Sequence, residues 1–349
     1  MAYTPIFTVT DKILRAIAEI ECARGFLKGA TMDERWVRRM SERALLLEAH
    51  HTTHIEGTHL TIDQSAEVWA GREVTANKDD IKELLNYRNA FEFISEYVVA
   101  GYPITEGVIR EIHRRLVSGV RGDRAAPGEW RLLQNCVANS KTGEIVYMPP
   151  PPSDVPALMR EFVEWMQATE INPIILSGVA QYQLVFIHPF IDGNGRTSRL
   201  LSTLLLYKSG YDFKRLFTIS EFYDRDRFAF YSAIRSVEKN NLDLTGWLEF
   251  FTAGLAEQLG EVVKRGENAI KSSVIAFRHG MNARLAEVIA EFLEKKTVLT
   301  SDLEKLLPDI GRRTIQRDLK KLEEKGMIRL VGESRKMHYE WIFEEKNAG

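Results

Sequence analysis

Apolar residues recur along most of this chain at spacings of three and four, the period of helices that bury one face. Ile13, Leu14, Ile17, Ile20, Phe26 and Leu27 follow Thr10, a good N-cap. Asp33 to Glu56 reads as a second helix, stopped by Gly57. Thr61 and Gln64 form a capping-box pattern for a short helix that ends at Gly71. Further helical patterns cover 79–99, 105–118, 154–170, 174–187, 195–208, 220–238 and 244–264. No internal repeat is visible.

Two stretches depart from this rhythm. Val137 to Met148 has short apolar ends around Lys141-Thr142-Gly143, so it reads as a β-hairpin, and Pro149 to Pro152 then force an extended exit. From about Gly266 the pattern changes again. Ala283–Lys295, Thr300–Leu307 and Arg312–Lys325 read as helices, with Pro308 to Gly311 as a turn and Gly326 as a stop. Met327–Val331 and Met337–Phe343 read as strands around Gly332 to Lys336. Helix, helix-turn-helix and a β-wing resemble a winged-helix domain. The expected fold is mainly α: a helical core with one β-hairpin flap, followed by a C-terminal winged helix. The expected divisions are an N-terminal helical region over 1–100, a core over 101–264 and the winged helix over 283–345.

Bulk properties narrow the function only slightly. The 349 residues call for more than one core, and 44% hydrophobic with 28% charged is ordinary for a globular protein. A net charge of −2 names no partner. Cys22 and Cys136 are too few for a disulfide framework or a cysteine-based zinc site, which suits the cytoplasm, the expected location. Neither a signal-peptide pattern nor an apolar run of about 18 residues is seen, so no membrane association is expected.

The chemistry concentrates between the helices expected over 174–187 and 195–208. There stands His188-Pro189-Phe190-Ile191-Asp192-Gly193-Asn194-Gly195-Arg196-Thr197-Ser198-Arg199. Taken singly, a His-Pro pair is an ordinary helix end, Gly-Asn-Gly is an ordinary turn, and two arginines are an ordinary solvated face. Together they make an anion site. A glycine-flanked loop opening a helix presents backbone N–H groups and the positive end of a dipole. Gly193 and Gly195 permit close approach to phosphate. Arg196 and Arg199, three apart, share one helical face and can grip phosphate oxygens in a fork. Asp192 is a hard oxygen ligand suited to Mg²⁺. His188 can act as a general base near neutral pH. No Gly-x₄-Gly-Lys-Ser/Thr run is present, so the chain is not of the Walker type.

This run is similar to the signature of the Fic family, His-Pro-Phe-x-Asp/Glu-Gly-Asn-Gly-Arg-x-x-Arg, at every fixed position. Arg110 to Leu116, Pro127 to Arg131 and Asp243 to Leu248 also resemble family runs, so the likeness covers about residues 35 to 260. The resemblance implies an all-α enzyme that transfers AMP from ATP to a Ser, Thr or Tyr hydroxyl of a protein, including itself. Its implied cofactors are ATP and Mg²⁺, and its implied assembly is a homodimer. His188 would be the base and Asp192 the metal ligand. Gly193, Asn194 and Gly195 would cradle the α-phosphate, and Arg196 and Arg199 would hold the outer phosphates. Adenine would lie near Tyr223 to Tyr231 and Asn240, and the hairpin would be a flap that docks the target by strand addition.

Thr52-Thr53-His54-Ile55-Glu56-Gly57 matches the family's inhibitory pattern, Ser/Thr-x-x-x-Glu-Gly/Asn. By that resemblance Glu56 is inhibitory: it pairs with Arg199 in a fork and removes the guanidinium that would hold the γ-phosphate. His50, His51, His54 and His59 crowd the same region, and the simplest reading makes them polar residues near the cleft. Two other readings compete. Glu56 could orient a water so that the same site removes AMP. Alternatively, the core is a ligand sensor of a transcriptional regulator. For that reading Arg312, Arg313, Arg317, Lys320 and Lys321 stud the candidate recognition helix, with Arg335 and Lys336 on the wing, making duplex DNA a candidate partner.

Overall fold

The computed structural model describes residues 3–120, 124–138, 142–332 and 337–343. The chain divides into two compact units, one of residues 1–28 and 39–260, the other of residues 29–38 and 261–349. The architecture is mainly helical, as the periodicity predicts.

The first unit is built around two helices, α7 (Pro173–Ile187) and α8 (Asn194–Lys208). α7 is apolar on every side, which a helix tolerates only when it is buried all round. Ile174, Val179, Leu184 and Ile187 are accordingly all inaccessible to solvent. Its few polar groups are satisfied internally: the Ser177 hydroxyl bonds to the Ser202 carbonyl and hydroxyl at 2.9 and 2.6 Å. Gly178 lets a third helix, α11 (Thr245–Arg278), lie against it; a Cβ there would come within 2.8 Å of Phe251 and 2.9 Å of Leu248. The Trp247 indole N–H donates to the Gly178 carbonyl at 2.8 Å.

Around this centre run α1 (Asp11–Gly29), α2 (Glu34–Ile55), α3 (Ile62–Trp69), α4 (Lys78–Ala100), α5 (Glu106–Val117) and α6 (Val155–Ala168). The capping box at Thr61 and Gln64 forms in both directions, at 3.1 and 2.9 Å. The hairpin consists of β1 (Val137–Ala138) and β2 (Ile145–Tyr147), antiparallel with Val137 opposite Tyr147. Part of its expected turn, 139–141, lies outside the described residues.

Two helix expectations need correcting. The stretch 220–238 is not one helix but α9 (Ile219–Arg225) and α10 (Arg227–Lys239). Asp226 separates them, with φ −136° and ψ 78°, and its carboxylate caps α10 through the Ala229 N–H at 2.9 Å. Apolar period alone conceals such a break, because both halves keep facing the same core. Conversely, α11 does not stop near 264; Gly266 lies inside it and interrupts nothing.

The second unit holds α12 (Ala283–Lys295), β3 (Thr297–Val298), α13 (Thr300–Leu306), α14 (Arg312–Glu324), β4 (Ile328–Val331) and β5 (His338–Trp341). Its three strands are antiparallel in the order β3-β5-β4; the sequence pattern predicted only two of them. Leu285, Ile289, Phe292, Leu303, Ile315 and Leu319 form its core. A fork from Arg284 to the buried Asp318, at 2.6 and 3.0 Å, ties α12 to α14. Arg335 and Lys336 lie outside the described residues.

Candidate active site

His188 ends α7 in the left-handed region, with φ 51° and ψ 54°. Its Nδ1 lies 3.2 Å from the Val185 carbonyl, which can only accept. The proton is thereby fixed on Nδ1, and Nε2 keeps its lone pair for a substrate proton. Burial lowers the pKa of His188 below its ordinary value, so the imidazole is neutral at pH 7.

The loop that follows is braced from several sides. Asn194 uses its whole side chain on it: Oδ1 accepts the Phe190 N–H at 3.0 Å and Nδ2 donates to the Phe190 carbonyl at 2.9 Å. The amide expected to touch phosphate is thus engaged in shaping the loop. Phe190 stacks on His113 of α5, with centroids 3.6 Å apart and planes 9° from parallel. His113 accepts the Gly128 N–H on Nδ1 at 3.0 Å, so Nε2 carries the proton and donates to the Asp192 carbonyl at 2.9 Å. Buried Arg131 donates to the His188 carbonyl at 2.8 Å and to Pro150 beyond the hairpin at 2.5 Å, joining loop and flap. Sequence reading placed His113 and Arg131 in family-like runs without giving either a task. Gly193, with φ 78°, starts α8, and a Cβ there would meet Val117 at 2.7 Å.

The two arginines part company. Arg199 is 2% exposed and donates from Nη2 to Glu56 Oε1 at 2.7 Å. It also donates from Nε to the Thr52 hydroxyl at 2.7 Å and from Nη2 to the Thr52 carbonyl at 3.1 Å. The expected fork onto Glu56 is therefore a single contact, because Thr52 takes Nε and shares Nη2. Gly195 leaves room for this pair; a Cβ there would collide with the Glu56 carboxylate. Arg196, expected on the same face, instead bonds the buried Glu83 of α4 at 2.7 Å. Glu83 sits mid-helix with no local sequence signal.

His188, Gly195, Arg199 and Glu56 line one cavity of about 630 Å³. Its walls include Val137, Val146 and Tyr147 of the hairpin and Tyr231 and Ile234 of α10. Tyr223 is fully buried, with its hydroxyl on Gln181 at 3.3 Å, and neither it nor Asn240 lines the cavity; Glu238 does. Asp192 lines a neighbouring cavity with Asp79 and Arg196, and its Oδ1 accepts the Gly193 N–H at 2.6 Å. Among the described residues no group of three or more His, Cys, Asp or Glu could hold a metal. One carboxylate beside a loop expected to hold phosphate still suits Mg²⁺, which takes most of its oxygens from phosphate and water. His51 and His54 share Asp224 of α9, each at 2.8 Å, and Arg227 bonds the same carboxylate at 2.7 Å. His50 bonds the Ser65 hydroxyl at 3.0 Å, and burial pushes its pKa down to about 4.

The chain has relatives among known proteins. Residues 103–206 match the model of the Fic/DOC family, and residues 23–94 match that of the Fic/DOC family N-terminal region. A protein adenylyltransferase Fic of Drosophila willistoni is 33% identical over 202 residues, 56% of this chain and 39% of that protein. Its counterpart in Drosophila grimshawi is 36% identical over 180 residues, 50% of this chain and 35% of that protein. The chain thus spans well under half the length of these relatives. A crystal structure of a Fic family protein from Desulfovibrio desulfuricans has a TM-score of 0.65 at 23% identity, covering 98% of this chain and 99% of that one. Fic-1 from C. elegans, residues 134–508, has a TM-score of 0.62 at 23% identity, covering 75% and 73%. The signature loop, the helices that brace it and these matches make the chain a member of the Fic/DOC family.

Proposed function

We propose that this chain transfers AMP from ATP to a hydroxyl of a protein, itself included, and that Glu56 restrains the reaction. The observation that carries this reading is the imidazole of His188. Its Nδ1 is committed to Val185, and it borders the same cavity as Arg199 and the N-terminus of α8. In this reaction the substrate oxygen forms a bond to the α-phosphorus while the bond to the pyrophosphate oxygen breaks. The hydroxyl proton passes to His188 Nε2, and pyrophosphate leaves. N–H groups at the start of α8 stabilise the charge on the α-phosphate. Asp192 would hold Mg²⁺, which supplies charge neutralisation when bound. The relatives' name, protein adenylyltransferase Fic, supports the same chemistry.

Restraint follows from the pair between Glu56 and Arg199. With its Nη2 on Glu56, Arg199 is withheld from the γ-phosphate, and a nucleotide bound without that anchor presents its α-phosphorus out of line. A misplacement of about 1 Å can cost about a hundredfold in rate. Mass spectrometry of the purified chain after incubation with ATP and Mg²⁺ tests the proposal. Addition of AMP to the chain or to an added protein is expected, above all in Glu56→Gly. A Glu56→Gly chain that binds ATP and labels nothing would overturn it.

A specific observation also favours a DNA-binding role for the second unit, which we infer to be a winged helix. α14 buries Ile315, Leu319 and Leu322 and exposes Arg312, Arg313, Arg317, Lys320 and Lys321. A basic face on a helix of this motif is an electrostatic footprint for phosphate.

A further inference from the structure

α10 lines the catalytic cavity along its length, with Arg227, Tyr231, Ile234 and Glu238 on one face. Tyr231 lies at the anionic end, where the charges of Glu56 and Arg199 act on its phenol. Glu238 is two helical turns further on, about 10 Å along the axis. That distance is of the order that separates phosphate from base in a nucleotide. Glu238 stands exposed at the rim of the cavity that Tyr147 and Tyr182 also line; burial raises the pKa of both phenols, and this carboxylate adds to the rise, second to burial for Tyr182 and behind Tyr182 for Tyr147. Among the described residues no cation or hydrogen-bond donor engages it, and burial alone perturbs it. A cavity with aromatic and aliphatic walls therefore ends in an uncommitted acceptor.

The acceptor's chemistry selects among bases. A carboxylate offers two oxygens and no donor. Guanine presents N1–H and N2–H side by side, which two carboxylate oxygens accept together. Adenine presents one N–H beside a ring nitrogen that is itself an acceptor, so the second oxygen meets a lone pair. We infer that Glu238 makes the base end of this cavity a guanine-accepting site, so that GTP competes with ATP as the nucleotide donor. The inference rests on the nucleotide-transfer reading and concerns only which nucleotide is taken.

Binding of MgATP and MgGTP to the full chain, measured by calorimetry in Glu56→Gly and in Glu56→Gly with Glu238→Gln, tests it. A glutamine supplies one acceptor and one donor, the complement of adenine. The ratio of Kd for ATP to Kd for GTP should fall about tenfold or more with Glu238→Gln. In turnover the change should appear in KM rather than in kcat, since Glu238 is remote from the reacting phosphorus. An unchanged ratio in a variant that still binds ATP would overturn the inference alone. Binding of neither nucleotide would overturn the nucleotide-transfer reading and this inference with it. Glu238 is exposed and makes no hydrogen bond or ion pair among the described residues, so the substitution removes none of their contacts.

Discussion

At the scale of single residues, the site turns on one imidazole and one guanidinium. Replacing His188 by Ala in a Glu56→Gly chain should lower single-turnover AMP transfer by about 10²–10⁴ and leave ATP affinity nearly unchanged, because a general base acts on the proton and not on the nucleotide. Equal rates with and without the imidazole would remove it from the mechanism. Glu56→Gly alone should raise transfer by about ten- to a hundredfold, since one charge-assisted hydrogen bond is worth about 1.5–3 kcal/mol. Adding Arg199→Ala should cancel that gain, which steady-state rates of the three chains would show. If the single variant instead lost an AMP-removing activity, Glu56 would be a water-orienting residue of the reverse reaction.

These side chains were legible as a set because they lie in one run of twelve residues and one of six. Their partners were not. Asn194 turns inward to Phe190, Arg196 to Glu83, and His113 to Asp192, all through contacts that only the folded chain creates. Sequence spacing places Arg196 and Arg199 on one face; it says nothing of a carboxylate brought up by α4.

Among the elements, the loop between α7 and α8 is held from the outside, above all by α5. His113 shows the cost of that arrangement as pH changes. Burial pushes its pKa down to about 4, below the roughly 6.5 of an unfolded chain. The unfolded state therefore takes up the proton more readily. The stability this group contributes is complete above pH ~6.5 and is lost as pH falls through about 4, by roughly 3 kcal/mol for such a group. Denaturant titrations at pH 7 and pH 4.5 should show a smaller loss in His113→Gln than in the native chain. An identical loss in both would mean that His113 titrates unperturbed. His50 contributes a second share in the same window, because burial depresses it in the same direction. Helix existence was readable in nearly every case from the apolar period. The break at Asp226 and the continuation through Gly266 were not, since a capping aspartate and a tolerated glycine look alike to a pattern of apolar positions.

For the whole molecule, the proposed AMP transfer and the proposed DNA contact belong to different units. Arg313→Ala with Arg317→Ala should weaken duplex DNA binding and flatten its salt dependence, with AMP transfer untouched. Fluorescence anisotropy at two salt concentrations measures this; a native chain with no salt-sensitive binding would make the second unit a protein-interaction module.

α2 serves Arg199 in two ways. That helix carries Glu56, which accepts a hydrogen bond from Arg199, and Thr52, which anchors the same arginine from two atoms. The proposed restraint and the scaffold are therefore the same piece of polypeptide. A plug can be discarded by deletion, but this helix cannot, because Arg199 would lose the hydroxyl and carbonyl that fix it for a phosphate. On the proposed reading, the off-switch cannot be separated in evolution from the site it restrains. A lineage could abandon it by changing the codon for Glu56, but not by losing the helix around it.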